Sequence, residues 1–197
     1  MPVAGIRHGQ LGFLATFSPD EMNRKMPIIF QGGYRIKRRS TLSFMKKEGC
    51  ELLALNDLVV KSGSDGRLAR FSVLADSELV AEYACDGIVF ATPTGSTAYS
   101  LAAGGPIVHP DSDVMLMTPI SAHTLTSRSV VFPSGISLSI HSEGNSDDPL
   151  VTADGQPAFE GSVRLPLEVS VSKQTFPLLE EIKHSHFRVL RNKLKWG

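Results

Sequence analysis

Short runs typical of strands, separated by segments that favour turns, dominate the first half of this 197-residue sequence. Three of these runs span residues 34–45, 52–60 and 68–74. The segments beside them are Gly32-Gly33, Lys47-Glu48-Gly49 and Ser64-Asp65-Gly66. Runs of this length joined by short glycine turns are typical of antiparallel strands. The first half is therefore predicted to be a meander of antiparallel strands.

The second half of the chain continues the pattern. Five more short runs, separated by Pro, Gly, Asn and Asp, span residues 114–118, 130–132, 136–140, 150–153 and 167–171. Together with the earlier runs they make at least eight strand candidates, beside two or three short helices. The sequence therefore predicts a mainly β (α+β) fold, a two-layer antiparallel β-sandwich-like domain with a few short helices.

Two strands are predicted to differ in their exposure. Arg35, Lys37 and Arg39 alternate with other residues along the first strand, which predicts one solvated face, whereas residues 58–60 are apolar throughout and predict a central strand. The basic cluster at residues 37–39 is interpreted as part of the solvated face rather than as a nucleic-acid patch. With 20 basic and 20 acidic residues, the chain has no net charge to attract nucleic acid or an anionic membrane.

Two helices outside the β-rich part have recognisable signals. Ser18-Pro19-Asp20-Glu21 has the pattern of a capping box, and Pro27 is expected to end the helix that follows. Near the C-terminus, Phe187, Leu190 and Leu194 recur at helical spacing, which predicts a helix with one apolar face.

The stretch at residues 86–106 points to a binding site. Residues 88–91 predict a buried strand, residues 96–103 predict a helix capped by Thr94 or Ser96, and Gly104-Gly105-Pro106 is expected to end it. Amide and hydroxyl groups at such a junction favour a polar ligand or an anion. The alternative is that the hydroxyls only cap the helix, but the stretch has more of them than one helix start uses.

The cysteines and the hydropathy of the chain bear on its location. Cys50 and Cys85 have no CxxC spacing, which is typical of reduced, inert thiols in a cytoplasmic protein. No apolar run approaches the ~20 residues of a membrane helix, and no signal-peptide pattern opens the chain. A cytoplasmic protein without membrane contact is therefore expected.

Asp86-Gly87, Thr-Pro-Thr-Gly-Ser-Thr-Ala-Tyr at residues 92–99 and Gly104-Gly105-Pro106 together resemble the signature of the NAD kinase family. The resemblance continues at residues 54–57, 118–125, 154–156 and 189–196 and covers nearly the whole chain. It implies transfer of the terminal phosphoryl group of ATP to the 2′-hydroxyl of the adenosine ribose of NAD. It also implies Mg²⁺ or another divalent cation with the ATP, and a homodimer or homotetramer.

The same resemblance implies which residues contact NAD. Asn56 and Asp57 should reach the dinucleotide, and Asp57 stands where the family has Glu. Asp86 should face the nicotinamide half of NAD, bound either in the same subunit or in a neighbouring one. The full set of implied NAD-binding residues is Asn56, Asp57, Asp86, Thr94, Thr97, Ala98, Tyr99 and Asp154. For Asn56-Asp57 and for Asp154, a simple turn is the alternative interpretation.

One part of the family pattern is not found in these 197 residues. Family members begin with a smaller α/β domain, whose Gly-Gly-Asp-Gly-Thr loop binds the ATP phosphates and supplies the catalytic base. We therefore leave the catalytic residue unknown and expect NAD binding with slow turnover by this chain alone. Residues 1–17 are interpreted as a link from that domain, residues 18–180 as the NAD-binding and oligomerisation domain, and residues 181–197 as a C-terminal return segment and helix.

Two other functions remain open at this point. The chain could be a non-catalytic NAD-binding module or a partial subunit completed by another chain. A lipid kinase of the diacylglycerol or sphingosine type would share the architecture, but Asn56-Asp57 and the signature favour a nucleotide acceptor.

Overall fold

The structure is a computed structural model that describes residues 1–9, 12–15, 17–45, 51–63, 69–124, 126–142, 149–159 and 163–196. Residues of the chain form two compact units, Met1–Arg39 with Thr175–Gly197, and Ser40–Gln174. The helices are α1 (Pro19–Phe30), α2 (Tyr99–Ala102) and α3 (His186–Leu194), and a 3-10 turn covers Gly95–Thr97. The predicted turns at residues 47–49 and 64–66, and Cys50, lie outside the described residues.

The strands of the described residues form two six-stranded sheets. The strands are β1 (Tyr34–Met45), β2 (Glu51–Ala54), β3 (Asp57–Lys61), β4 (Ala69–Ala75), β5 (Glu78–Cys85), β6 (Gly87–Ala91), β7 (Val114–Ile120), β8 (Val130–Pro133), β9 (Leu138–Ser142), β10 (Leu150–Ala153), β11 (Gln156–Pro157) and β12 (Leu167–Glu181). The first sheet has the order β2-β1-β12-β9-β4-β5, and the second has the order β11-β10-β3-β6-β7-β8.

The core of the second unit, Ser40–Gln174, lies between its two sheets. Leu42 and Phe71 from the first sheet and Leu58, Ile88 and Met117 from the second belong to one cluster of buried side chains. Apolar residues at alternate strand positions meet there, as a two-layer β structure requires. The predicted mainly β, two-layer antiparallel fold is confirmed, and the 58–60 run is a central strand as predicted, with β3 between β10 and β6.

The basic strand face in the first unit is buried at Arg39, contrary to the prediction. Arg39 is buried and forms an ion pair with Glu180 of β12, and Arg35 Nη2 lies 3.2 Å from Glu180 Oε2. Ile36, on the other face, is 43% exposed. The opposite charge of Glu180 compensates for the burial of the Arg39 guanidinium group. Because Glu180 lies 141 positions away in the sequence, the local residue pattern around Arg39 could not predict this burial.

Helix α1 has the predicted start but a later end. Ser18 Oγ accepts from the Glu21 backbone N–H at 3.1 Å, and Glu21 Oε2 accepts from the Ser18 N–H at 2.7 Å, which confirms the capping box. The prediction that Pro27 ends the helix is wrong, because the helix continues to Phe30. Pro27 cannot donate to the carbonyl of Asn23, but both residues lie on the exposed side, where water can serve that carbonyl.

Helix α3 exists as predicted, and its apolar face is only partly buried. Val189 and Leu190 are its buried residues, whereas Phe187 is 62% exposed. At 100° per residue, Phe187 lies roughly 110° around the helix from the centre of that buried face. The predicted apolar face is therefore buried at Leu190 and exposed at Phe187.

Two further observations concern the described part of the chain. None of its helices is long and apolar enough to cross a membrane. Cys85 is a free, buried thiol, and burial raises its pKa to about 11, which agrees with the inert role predicted for it.

Candidate functional site

The site lies in the second unit, where one strand starts beside the ends of its two neighbours. Strand β3 runs antiparallel to both β6 and β10, with Asp57 opposite Ala91 and Leu58 opposite Ala153. The loop before β3 therefore lies next to the turns that follow β6 and β10. These three segments carry the residues that the sequence singled out, apart from Asp86.

Thr92 joins the turn after β6 to the loop before β3. Its backbone N–H donates to Asn56 O at 2.9 Å, and its hydroxyl donates to Leu55 O at 2.7 Å. The same hydroxyl accepts from the Gly95 N–H at 3.0 Å. A Cβ atom on Gly95 would lie 1.9 Å from Asn56 O, so only glycine allows the two backbones to come this close.

The helix predicted at residues 96–103 is interrupted. The 3-10 turn at Gly95–Thr97 and the short α2 are separated by Ala98, with φ −99° and ψ −128°, and neither has a side-chain cap from Thr94 or Ser96. The predicted single helix and its caps are therefore wrong. Ser96 Oγ is instead buried, donating to Pro93 O at 2.7 Å and accepting from the Val108 N–H at 3.1 Å.

Asp57 anchors the start of α2 to strand β3. Its side chain accepts a hydrogen bond from the backbone of Tyr99, and the residue is only 5% exposed. Burial, and secondly the negative charge of Asp154, raise the pKa of Asp57 to about 6, although the bond from Tyr99 acts in the opposite direction. The carboxylate is therefore mostly ionised at pH 7, at a cost in stability.

Asp154 lies in a turn, and its side chain also binds the loop before β3. Asp154 and Gly155 have φ of 48° and 76° and join β10 to β11 in a two-residue hairpin turn. The Asp154 carboxylate accepts from the backbone N–H groups of Leu55 at 2.8 Å, Asn56 at 2.6 Å and Asp57 at 3.2 Å. These bonds fix the loop before β3 in place.

The raised pKa of Asp57 predicts a pH dependence of stability. The folded protein holds the proton of Asp57 up to about pH 6, whereas an aspartate in the unfolded chain releases it near pH 3.8. The free energy of unfolding should therefore fall as pH rises between these values. The fall attributable to Asp57 should be about 2–3 kcal/mol. Asp57→Asn should remove it, as chemical denaturation at a series of pH values would show. Equal slopes in the two proteins would contradict the assignment.

The hydroxyl of Thr94 has no hydrogen-bond partner among the described residues. Thr94 is 8% exposed, and its Oγ1 is buried. Next to it, Thr97 Oγ1 donates to Thr94 O at 3.3 Å, and Ala98 and Tyr99 are exposed. The structure thus brings Asn56, Asp57, Thr94, Thr97, Ala98, Tyr99 and Asp154 into one region.

Asp86 is not part of that region. It lies at the opposite end of β6, where its backbone N–H donates to Ile120 O and its O accepts from the Ser62 N–H, both at 3.0 Å. Asp86 and Thr92 are separated by roughly 20 Å along β6, at the rise per residue of a strand. The side chain of Asp86 is exposed.

Contacts beneath and beside the turn support it in a way that the sequence did not indicate. Beneath the turn, Ser100 Oγ lies 3.2 Å from Thr118 Oγ1, and the Gly105 N–H donates to Ser100 O at 2.8 Å. Lys61, at the end of β3, places its Nζ 5.0 Å from the centre of the Tyr99 ring. A single charge ending the apolar run of β3 was the signal that could have identified Lys61.

Comparison with known proteins shows which family this chain is similar to. A family model described as the ATP-NAD kinase C-terminal domain matches residues 55–181. The NAD kinases of Gemmatimonas aurantiaca and Pseudomonas aeruginosa are each 36% identical to this chain over its whole length, which spans 70% and 68% of theirs.

Two solved structures are similar over the whole chain. Yeast NADH kinase complexed with NADH gives a TM-score of 0.88 at 26% identity, with 59% of that protein covered. An NAD kinase from Archaeoglobus fulgidus in complex with ATP gives 0.83 at 25% identity, with 75% covered.

Proposed function

The chain belongs to the NAD kinase family, and from this premise we propose that its second unit binds NAD for phosphorylation. The proposed reaction transfers the terminal phosphoryl group of ATP to the 2′-hydroxyl of the adenosine ribose. The relatives' names support the acceptor and the donor, since one solved neighbour contains NADH and the other contains ATP. The proposed site for the adenosine half is the region of Asn56, Asp57, Thr94, Thr97, Ala98 and Tyr99.

The buried hydroxyl of Thr94 is the observation that carries this proposal. A buried polar group without a partner is costly, and natural proteins rarely retain one without a purpose. Adenosine offers both donors and acceptors, on the adenine edge and on the ribose. A bound adenosine would supply the partner that the described residues do not, and the neighbouring Asp57 carboxylate would accept from a ribose hydroxyl.

The remaining parts of the site have clear roles in this proposal. Asp154 holds the loop that carries Asn56 and Asp57, and the exposed ring of Tyr99 offers a flat surface to a base. Asp86 would contact the nicotinamide half, within one subunit or from a neighbour. The described residues contain no group of three His, Cys, Asp or Glu side chains that could hold a metal. We propose that Mg²⁺ or another divalent cation binds together with the ATP.

Substituting Thr94 tests the proposal. Thr94→Val keeps the shape of the side chain and removes the hydroxyl, so NAD affinity should fall about tenfold. The free protein should become no less stable, because the lost hydroxyl has no hydrogen-bond partner in the part of the chain that the structure describes. Calorimetric titration with NAD and thermal denaturation measure the two effects.

Thr41→Val is the matched control in the same unit. The Thr41 hydroxyl is buried and donates to Gln174 O at 2.7 Å, so its removal should lower stability and leave NAD affinity unchanged. Wild-type affinity in Thr94→Val would contradict the proposed site.

We also propose a homodimer or homotetramer in the cytoplasm. β8 is an edge strand of the second sheet, and Val131 on it is 45% exposed, which suits a contact with a second copy. Light scattering at micromolar concentration should give at least the mass of a dimer. A strict monomer that binds NAD would contradict the shared site at Asp86.

A further inference from the structure

Strand β3 directs three alternate side chains to its outer face, away from the core between the sheets. These are Asp57, Val59 and Lys61, since successive strand residues point to opposite faces. Val59 is buried in a small separate cluster with Val89, Ala91 and Leu116 of the neighbouring strands. Asp57 and Lys61 stand on either side of Val59, about 13 Å apart along the strand.

Tyr99 is held at two points along this face. Its backbone N–H donates a hydrogen bond to the Asp57 carboxylate. Its ring lies under the ammonium group of Lys61, with Nζ 5.0 Å from the ring centre. An ammonium group at that distance attracts the electron-rich face of an aromatic ring. The ring, 37% exposed, is therefore held at a defined place along β3 before any ligand binds.

The position of Lys61 depends on the residue opposite. Lys61 pairs with Gly87 of β6, and a Cβ atom on Gly87 would lie 3.1 Å from Lys61 Cγ and 2.5 Å from Val60 O. Because glycine has no side chain, the aliphatic part of Lys61 can lie across β6. The geometry that brings the ammonium group to Tyr99 thus involves residues on two strands and on α2.

We propose that Lys61 is a positioning residue for NAD, acting through the Tyr99 ring and not by contact with the phosphates. The inference rests on the proposed function, in which Tyr99 forms one side of the adenosine site. Without the ammonium group, the ring would occupy its binding position for a smaller fraction of the time. The apparent affinity would fall in proportion to that fraction.

A double-mutant cycle on the full 197-residue chain tests the inference. Lys61→Met should weaken NAD binding about threefold to fivefold, the size of one cation–π contact at a partly exposed site. Lys61→Arg should restore most of the loss, since a guanidinium group also lies over aromatic rings. In a Tyr99→Ala background, Lys61→Met should have no further effect. Lys173→Met, which removes an exposed charge on β12, controls for net charge.

Adenosine distinguishes a positioning role from direct phosphate binding. Lys61→Met should weaken adenosine binding by the same factor as NAD binding, because adenosine also uses the Tyr99 ring. In addition, the NMR ring signals of Tyr99 should shift in Lys61→Met without any ligand. A loss confined to NAD, or one that persists in the Tyr99→Ala background, would overturn the inference and indicate phosphate contact.

The outcomes separate this inference from the proposed function. If the wild-type chain binds NAD and Lys61→Met binds it equally well, the inference fails and the proposed function stands. If the wild-type chain does not bind NAD, the proposed function fails, and the role of Lys61 fails with it.

Discussion

Gly95→Ala is expected to reduce NAD affinity by about 100-fold or more. The added Cβ atom would lie 1.9 Å from Asn56 O and 2.4 Å from Asn56 C, and both of these are backbone atoms that cannot rotate away. The turn after β6 and the loop before β3 would have to separate by an ångström or more. In a reaction, a misplacement of about 1 Å costs on the order of 100-fold in rate, and we expect a loss of that order in the affinity for NAD. Overpacking should also lower the free energy of unfolding by about 1–3 kcal/mol.

Gly135→Ala is the matched control for this substitution. A Cβ atom on Gly135, in the turn between β8 and β9, would meet no atom of the described residues within 4 Å. Its stability and its NAD affinity should equal those of the wild type. Calorimetric titration and urea denaturation of both variants give the comparison, and wild-type affinity in Gly95→Ala would show that the close approach to Asn56 is not needed for binding.

Asp154→Asn is expected to lower both stability and NAD affinity. The carboxylate accepts three backbone N–H groups, whereas an asparagine would turn one N–H₂ group toward amide donors and lose the charge. We expect a loss of about 2 kcal/mol in the free energy of unfolding and about tenfold in NAD affinity. The pKa of Asp57 should also fall, because the charge of Asp154 is one cause of its elevation.

Asp76→Asn provides a control with the same turn geometry. Asp76 has a φ of 46° in the hairpin turn between β4 and β5, and its carboxylate accepts a single N–H, from Ser137 at 3.1 Å. Asp76→Asn should therefore lower the free energy of unfolding by less than Asp154→Asn does. It should leave NAD affinity unchanged. Asp154→Gly, which tolerates the positive φ, separates the loss of the carboxylate from strain in the turn. Equal behaviour of Asp154→Asn and Asp76→Asn would contradict the role of Asp154.

The sequence predicted those features that depend on local pattern. The apolar runs, the central position of residues 58–60 and the capping box at Ser18 are confirmed because each is determined by residues close together in the chain. The family resemblance is confirmed as well, since an ordered signature is also a local pattern. The NAD contacts of the individual residues stay predictions.

The features that the sequence missed depend on distant partners. The break at Ala98 accompanies the bond between Asp57 and Tyr99, which are 42 positions apart, so helix propensity alone could not show it. Arg39 is buried only because Glu180 lies beside it. Asp154 was open to interpretation as a simple turn, and its bonds to residues 55–57 become visible only when β10 is placed next to β3.

The bonds from Asp154 also have a consequence for the order of events during folding. They join residues that are 97 to 99 positions apart in the sequence. The hydrogen bond between Thr92 and Leu55 joins residues 37 positions apart. Closing such long stretches of chain costs entropy before any contact repays it, so segments with these contacts form late and together. The region around Asn56 therefore takes shape only when β10, β3 and β6 are side by side. A peptide of the 86–106 stretch alone would have no such surface, and a ligand captured there would stabilise the assembled sheet as a whole.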